Sequence, residues 1–359
     1  MSQKEYLILL STFVPFGPVR IKLLLKYFGS ARRVWTAEDK HLSKLGLGEG
    51  KVIEFIAHRE NFGAAKYLNN LEKLKIDCVT ISDKSYPKNL REIEDAPFVL
   101  YIKGTLRPTD VNSVAIVGSR KMTAYGREVA DRFSSELAAC GVTIISGLAR
   151  GIDSEAHRAA LMAGGRTIAV IGAGLDNIYP PENTKLAEEI TKNGAVISEY
   201  PLGYPALPIN FAARNRIVSG LSRAVVVVEG ATKSGTLLTA TAAAKQGKEV
   251  FAVPGQITSP MSGAPLFLLK NGARLATTPS DILEELNLQL RVDKEAVEKV
   301  MPSDALEAKI VKYLENEALH LDELARISTL GVGVLSAKLT VMELKGLVKS
   351  LGAGIYKKI

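Results

Sequence analysis

Six short apolar runs in the middle of the chain each lead into a glycine-rich or polar turn, and this pattern constrains the fold class most tightly. Residues 113–117 end in Gly118-Ser119-Arg120, and residues 142–146 open the turn Gly147-Leu148-Ala149-Arg150-Gly151. Residues 167–171 reach Gly172, and residues 195–198 reach Glu199 and then Gly203. Residues 224–229 lead through Gly230 to Ser234-Gly235-Thr236, and residues 249–253 reach Pro254-Gly255. Continuous runs rich in Val and Ile suit strands buried on both faces of a parallel sheet. Each is followed by a helical pattern, so the fold class is α/β with a parallel-sheet core. Ligands of such sheets sit beyond the carboxyl ends of the strands. There this chain places Gly, Ser, Thr and Arg, and bare N–H groups, hydroxyls and helix N-termini suit phosphate. A phosphate-bearing ligand is the first expectation.

Bulk properties agree. A chain of 359 residues has room for two or three domains, and 47% hydrophobic with 23% charged residues is an ordinary globular composition. The net charge of +8 favours an anionic partner. Cys78 and Cys140 lie far apart and imply neither a disulfide framework nor a zinc site. Four scattered histidines offer no metal constellation. The first residues hold too short an apolar stretch for a spanning helix and no small-residue cleavage site. The expectation is a cytoplasmic protein with no membrane partner.

The flanks differ from the centre. Residues 1 to about 65 read as small helices, one over 22–28, and residues 42–56 fit a helix-hairpin-helix around Gly46-Leu47-Gly48. Such a hairpin suits either a DNA phosphate or structural docking. Residues 77–81 and 98–103 read as a preliminary pair of strands. Residues 281–299 carry an acidic excess with no core pattern beyond one short helix and read as a linker. After it, helical patterns over 305–314, 321–327 and 334–347 precede a hairpin around Gly352-Ala353-Gly354, which is the order of a winged helix. Lys338, Lys345, Lys349, Lys357 and Lys358 form a basic cluster there that suits a phosphate-facing helix and wing, or a solvated face. The recognition helix has no Arg, Asn or Gln to read a base edge.

The glycine turns invite three enzymatic readings. Gly230 to Gly235 has the spacing of a P-loop start, but Thr236 stands where a lysine must meet the phosphates. Gly172-Ala173-Gly174 begins a dinucleotide fingerprint whose third glycine is Asn177, and the chain then turns through Tyr179-Pro180-Pro181. Asp153 and His157 sit one turn apart on a helix, where Asp153 has the place of an N-cap. No nucleophile–base pair is evident. The turns do contain arginine: Arg120, Arg150, Arg214 and Arg216 cluster at one sheet edge, with Phe211 as a stacking surface. Basic groups beside an aromatic, without a catalytic pair, point to nucleic-acid binding.

At these motifs the chain resembles the DNA-processing protein A (DprA/Smf) family. The resemblance runs through Ser85-Tyr86-Pro87, Asp95-Ala96-Pro97, Gly118-Ser119-Arg120 and Tyr125-Gly126. It continues through Ser146 to Asp153, His157, Tyr179-Pro180, Ser198 to Pro201, Arg214 to Ile217, Ser234-Gly235-Thr236 and Val253-Pro254-Gly255. It implies a small helical, helix-hairpin-helix or SAM-like domain over 1–72 and an extended Rossmann-like domain binding single-stranded DNA over 73–287. A linker over 288–302 and a winged helix over 303–359 follow. The family's role would be to protect incoming DNA and load the RecA recombinase on it during natural transformation, without catalysis or a cofactor. The implied DNA site comprises Gly118, Ser119, Arg120, Gly147, Ala149, Arg150 and Gly151. It also takes in Phe211, Arg214, Asn215, Arg216, Ser234, Gly235 and Thr236. A homodimer is implied through the later half of the domain, at Leu266, Phe267 and Leu269. The alternatives are a Rossmann-like enzyme or sensor of nucleotides, some of which cleave nucleoside monophosphates, and a transcription regulator acting through the winged helix.

Overall fold

The structure is a computed structural model that describes residues 1–288, 305–315, 317–328, 330–344, 347–352 and 354–359. Of the linker expected over 288–302 only residue 288 is described, and Lys345 lies outside the described residues. The chain divides into two compact units, with the break at residue 290.

The first unit is built on a nine-stranded sheet. Its strands are β1 (Asp77–Thr80), β2 (Val99–Gly104), β3 (Ser113–Val117), β4 (Thr143–Ser146), β5 (Thr167–Val170), β6 (Gly194–Ser198), β7 (Ala224–Val227), β8 (Glu249–Ala252) and β9 (Arg274–Leu275). Their order is β1-β2-β6-β5-β4-β3-β7-β8-β9. All six expected central strands are present, and strands β6 to β9 in this order pair in parallel. The sheet is nevertheless mixed, because β2 pairs antiparallel with both β1 and β6. The two-residue β9 has no counterpart in the sequence reading, being too short to show a pattern.

Alternation along the strands explains the unbroken apolar runs. Val114 and Ile116 of β3 face one side while Ala115 and Val117 face the other, and both sides are covered. The helices of this unit are α1 (Gln3–Ser11), α2 (Gly17–Phe28), α3 (Ala31–Trp35), α4 (Asp39–Ser43), α5 (Glu49–Asn61), α6 (Ala64–Lys73), α7 (Lys88–Arg91), α8 (Ala124–Ala139), α9 (Ile152–Met162), α10 (Thr184–Lys192), α11 (Pro208–Leu221), α12 (Thr236–Lys245), α13 (Gly263–Lys270) and α14 (Pro279–Glu285). Residues of α7, α11 and α12 fill one face; α8, α9 and α14 cover part of the other. The rest of that face meets the N-terminal helices. Leu7, Leu10, Phe13 and Phe16 share one apolar cluster with Val99, Tyr101 and Val196 of the sheet. Phe16 packs at 4.7 Å from Phe13 and 4.8 Å from Phe55, ring contacts worth about 1 kcal/mol each beyond their burial. The hairpin expected around Gly46-Leu47-Gly48 joins α4 to α5, with Leu47 buried. Among the described residues no single helix is long and apolar enough to cross a membrane.

The second unit contains α15 (Ala305–Tyr313), β10 (Leu319–His320), α16 (Leu321–Ser328), α17 (Val332–Leu344), β11 (Val348–Gly352) and β12 (Ile355–Lys358). Its three-stranded sheet has the order β10-β12-β11, so the expected helices and wing gain a short third strand. Ile310, Leu324, Leu335, Leu339 and Val348 form the core of this winged helix.

Candidate nucleic-acid interface

From β3 the connections run to β4, β5 and β6 on one side and to β7, β8 and β9 on the other. Loops diverge at such a reversal and leave a crevice beyond the strand ends. Here the turns after β3, β4 and β7, with the first turns of α11 and α12, enclose a cavity of about 490 Å³.

The turn after β3 is anchored to the end of β7. Thr123 donates through N and Oγ1 to the buried Glu229 carboxylate at 2.9 and 2.8 Å, and its Oγ1 accepts from Gly126 N to cap α8. The turn after β4 is tied down from beneath. Asp153 Oδ2 accepts from Gly147 N at 3.1 Å and from Ala149 N at 3.4 Å. Two expectations are thereby corrected. Asp153 is not the N-cap of α9; Gly151 holds that position with φ +75°, where a Cβ would strike Ser119 O. The Gly147 and Ala149 amides face Asp153 instead of standing bare for a phosphate. Gly147 must be glycine because a Cβ would overlap the Arg214 guanidinium.

The four arginines have four different environments. Arg120 is exposed, has no ion pair among the described residues, and lies with its guanidinium 5.4 Å from the Phe211 ring centroid. Arg214 forms the crevice base: it is 3% exposed and its Nη1 donates to Val170 O at 2.6 Å. Burial pulls Arg214 down to about 10, opposed by the charge of Asp153. Burial likewise pushes the Asp153 carboxyl up, opposed by Arg214 and the two loop amides. Arg150 is paired with Glu182 and lines an adjoining hollow with Arg120, Tyr179 and Phe211. Arg216 turns away from the crevice, its Nε 3.0 Å from Asp95 and its Nη2 2.6 Å from the half-buried Glu199. The position expected of Arg216 is therefore corrected to a structural ion pair, because the helix turn that aims Arg214 inward carries Arg216 to another face.

Of the remaining expected residues, Gly118, Ser119, Phe211, Asn215, Ser234, Gly235 and Thr236 line the crevice, and Gly151 lies beneath the β3 turn. Ser234 Oγ is enclosed with no hydrogen-bond partner among the described residues. Two groups went unassigned at the sequence level. Lys121 adds an exposed cation, and Tyr179 packs 5.5 Å from Phe211, centroid to centroid. The Tyr179-Pro180-Pro181 turn was visible only as a break in a dinucleotide pattern. His157 does not reach the crevice: it is buried and its Nδ1 lies 2.6 Å from Thr167 Oγ1. Burial first, then the charges of Arg214 and Arg158, push it down to about 3, so it is a neutral packing group.

Free cations, hydroxyls, a helix N-terminus and an aromatic ring converge on one cavity floored by the buried Arg214 and Asp153. That set suits a phosphate chain carrying flat apolar groups.

Away from the crevice, Phe267 of α13 is 48% exposed, Leu266 and Leu269 are half-buried, and Leu268 packs inward. In the second unit the basic cluster is reduced. Lys338 Nζ lies 3.1 Å from the buried Glu307 carboxylate, which corrects its expected place on a phosphate-facing surface. Lys358 lies 3.4 Å from Glu315, while Lys349 and Lys357 are exposed and face each other across β11 and β12.

A family model described as DNA recombination-mediator protein A matches residues 77–287, and a DprA winged helix domain model matches residues 294–354. Protein Smf of Synechocystis is 34% identical over 97% of this chain and 96% of its own length. Protein Smf of Escherichia coli is 37% identical over 90% of this chain and 89% of its own length. Among solved structures, DNA processing protein A from Streptococcus pneumoniae superposes with a TM-score of 0.66 at 36% identity, covering 74% of this chain and 92% of that one. DNA processing protein A from Helicobacter pylori, described for its single-stranded DNA binding mode, gives 0.55 at 31% identity over 60% of this chain and 98% of its own. The sheet, its crevice and the winged helix thus coincide with matches across nearly the whole sequence, and the chain belongs to the DNA recombination-mediator protein A (DprA/Smf) family.

Proposed function

We propose that this chain is a non-catalytic single-stranded DNA-binding protein whose binding site is the crevice beyond β3, β4 and β7. The observation that carries the proposal is the unpaired Arg120 held over Phe211 at the mouth of that crevice. A guanidinium there meets a phosphate while the ring offers a face to any base. Arg120, Lys121, the α12 N-terminus and the Ser119 and Ser234 hydroxyls line the phosphate path. The relative from Helicobacter pylori, described for its single-stranded DNA binding mode, supports the same reading. A nucleotide-cleaving enzyme is less well served, because the carboxylate lining the crevice, Asp153, is buried and held by backbone amides.

Within this reading the protein acts in the cytoplasm as a mediator. It protects incoming strands and presents them to the RecA recombinase during natural transformation. Two chains pair through the outward side of α13, around Leu266, Phe267 and Leu269, which puts two crevices on one particle and raises avidity for long strands. Titration with labelled single-stranded DNA, duplex DNA and a nucleoside monophosphate tests the class. The expected result is salt-sensitive, sequence-neutral binding of the single strand above the other two. Preference for the mononucleotide would overturn the proposal. Leu269→Glu should yield a folded monomer in sedimentation, with weaker binding of long strands and unchanged binding of short ones; a variant that stays dimeric removes this interface.

A further inference from the structure

The opposite edge of the sheet holds a second cavity, of about 440 Å³, that shares no lining residue with the crevice. It opens where α11 ends at Leu221, between the connection from β1 to β2 and the connection from β2 to β3. Its floor is apolar, formed by Leu221 with Ile145 and Ile168 of the sheet. Its walls are built in advance. Asn89 Nδ2 donates to both Val111 O and Leu221 O at 2.9 Å, which locks the two connections to the end of α11.

The charges around this cavity are one-sided. Asp110 is its carboxylate, and it is already satisfied: Arg166 donates to it through Nε and Nη2 at 2.9 Å each, and Thr143 Oγ1 donates at 2.9 Å. Lys84 and Lys88 stand on one lip and Arg107 on the other, all exposed and without an ion pair among the described residues. A cavity of this size with an apolar floor and a few polar groups at its mouth has the form of a small-molecule site. Unpaired cations at the mouth of an apolar-floored cavity select an anion, because a cation or a neutral ligand leaves them uncompensated.

We propose that the cavity bounded by Lys84, Lys88, Arg107 and Leu221 binds a small organic anion, its apolar body on Ile145 and Ile168 and its carboxylate, sulfonate or phosphate between the basic lips. The enclosed shape and the fixed walls favour a compact ligand over an extended peptide. The site is separate from the DNA crevice and does not depend on the proposal made for it.

The full-length chain can be titrated with anilinonaphthalene sulfonate, and in parallel with the uncharged phenylnaphthylamine, following dye fluorescence. The expected result is one saturable site that favours the sulfonate by about tenfold or more, the scale of one charge-assisted contact. Val111→Trp, at the exposed mouth, should abolish this site. The double change Lys84→Glu with Lys88→Glu, and Arg107→Glu separately, should remove the preference for the sulfonate while leaving crevice binding of single-stranded DNA unchanged as a fold control. Equal affinity for the two dyes overturns the anion assignment. Sulfonate binding that survives Val111→Trp places the dye elsewhere and overturns the site. Displacement of the dye by an acidic peptide at lower concentration than by small aromatic carboxylates assigns the cavity to a protein partner and overturns the small-ligand proposal.

Discussion

The crevice and the winged helix both looked like basic clusters in the sequence, and the structure treats their charges in different ways. In the crevice, Arg120 and Lys121 stay exposed and unpaired among the described residues, above a buried layer of Arg214 and Asp153. In the winged helix, Lys338 turns inward to the buried Glu307 and Lys358 lies beside Glu315. Of that expected cluster, only Lys349 and Lys357 remain exposed and without an ion pair among the described residues. A count of positive residues therefore says little about a binding surface; what matters is which cations have no internal counter-charge. In the proposed reading the crevice separates two duties, with Arg120 left exposed for a ligand and Arg214 buried in the frame.

That separation can be broken most forcefully at Arg214. Arg214→Ala leaves Asp153 buried without its compensating cation and empties the crevice base, so unfolding stability should fall by about 3 kcal/mol. Chemical denaturation reads this directly, and an unchanged midpoint would show that Arg214 carries no structural duty. Arg120→Ala should do the reverse. Affinity for single-stranded DNA should fall by about 1–3 kcal/mol, the cost of a charge-assisted contact, with the denaturation midpoint unmoved. Loss of stability with full affinity would make the two arginines alike and dissolve the comparison.

The buried layer also carries a pH signature. His157 is pushed down to about 3 in the folded protein, against an ordinary value of 6.5. Below 6.5 the unfolded chain binds a proton there that the folded chain refuses, so stability is lost as pH falls. Between pH 6.5 and 5.5 this amounts to about 1 kcal/mol, and His157→Gln should flatten that part of the profile. A profile identical in the variant would mean that other groups carry the acid sensitivity. The smallest effect belongs to the wing. Lys349 and Lys357 are direct cross-strand neighbours, and replacing both by Thr should stabilise the second unit by a few tenths of a kcal/mol up to about 1. A loss of stability on that change would show that the pair is held by contacts within the wing.

The central strands were legible because each has both faces covered, which writes an uninterrupted apolar run into the chain. The antiparallel attachment of β2 to β6 was not, since β2 reads as apolar in either orientation and its partner lies about 90 residues away in sequence. The glycine turns do border the crevice, but spacing alone cannot tell which of Arg214 and Arg216 points into it; a two-residue step on a helix turns the side chain by about 200°. Nor could sequence show that Asp153 would occupy the Gly147 and Ala149 amides, or that Glu307 would take Lys338 out of the basic cluster. Each of these depends on a carboxylate brought from another turn or helix, and such partners are visible only once the chain is folded.

The apolar cluster joining the N-terminal helices to the sheet sets a limit on how this chain can be rearranged. Val99, Tyr101, Leu186 and Val196 present an oily face that Leu10, Phe13 and Phe16 complete, and Ser11 Oγ lies 2.8 Å from Tyr101 OH. A chain trimmed to begin at β1 would have to carry that face into water, a patch of the kind that drives aggregation. The helical layer is thus no detachable cassette for this sequence. To exchange or delete it, evolution or an engineer must first repaint the sheet beneath it with polar residues.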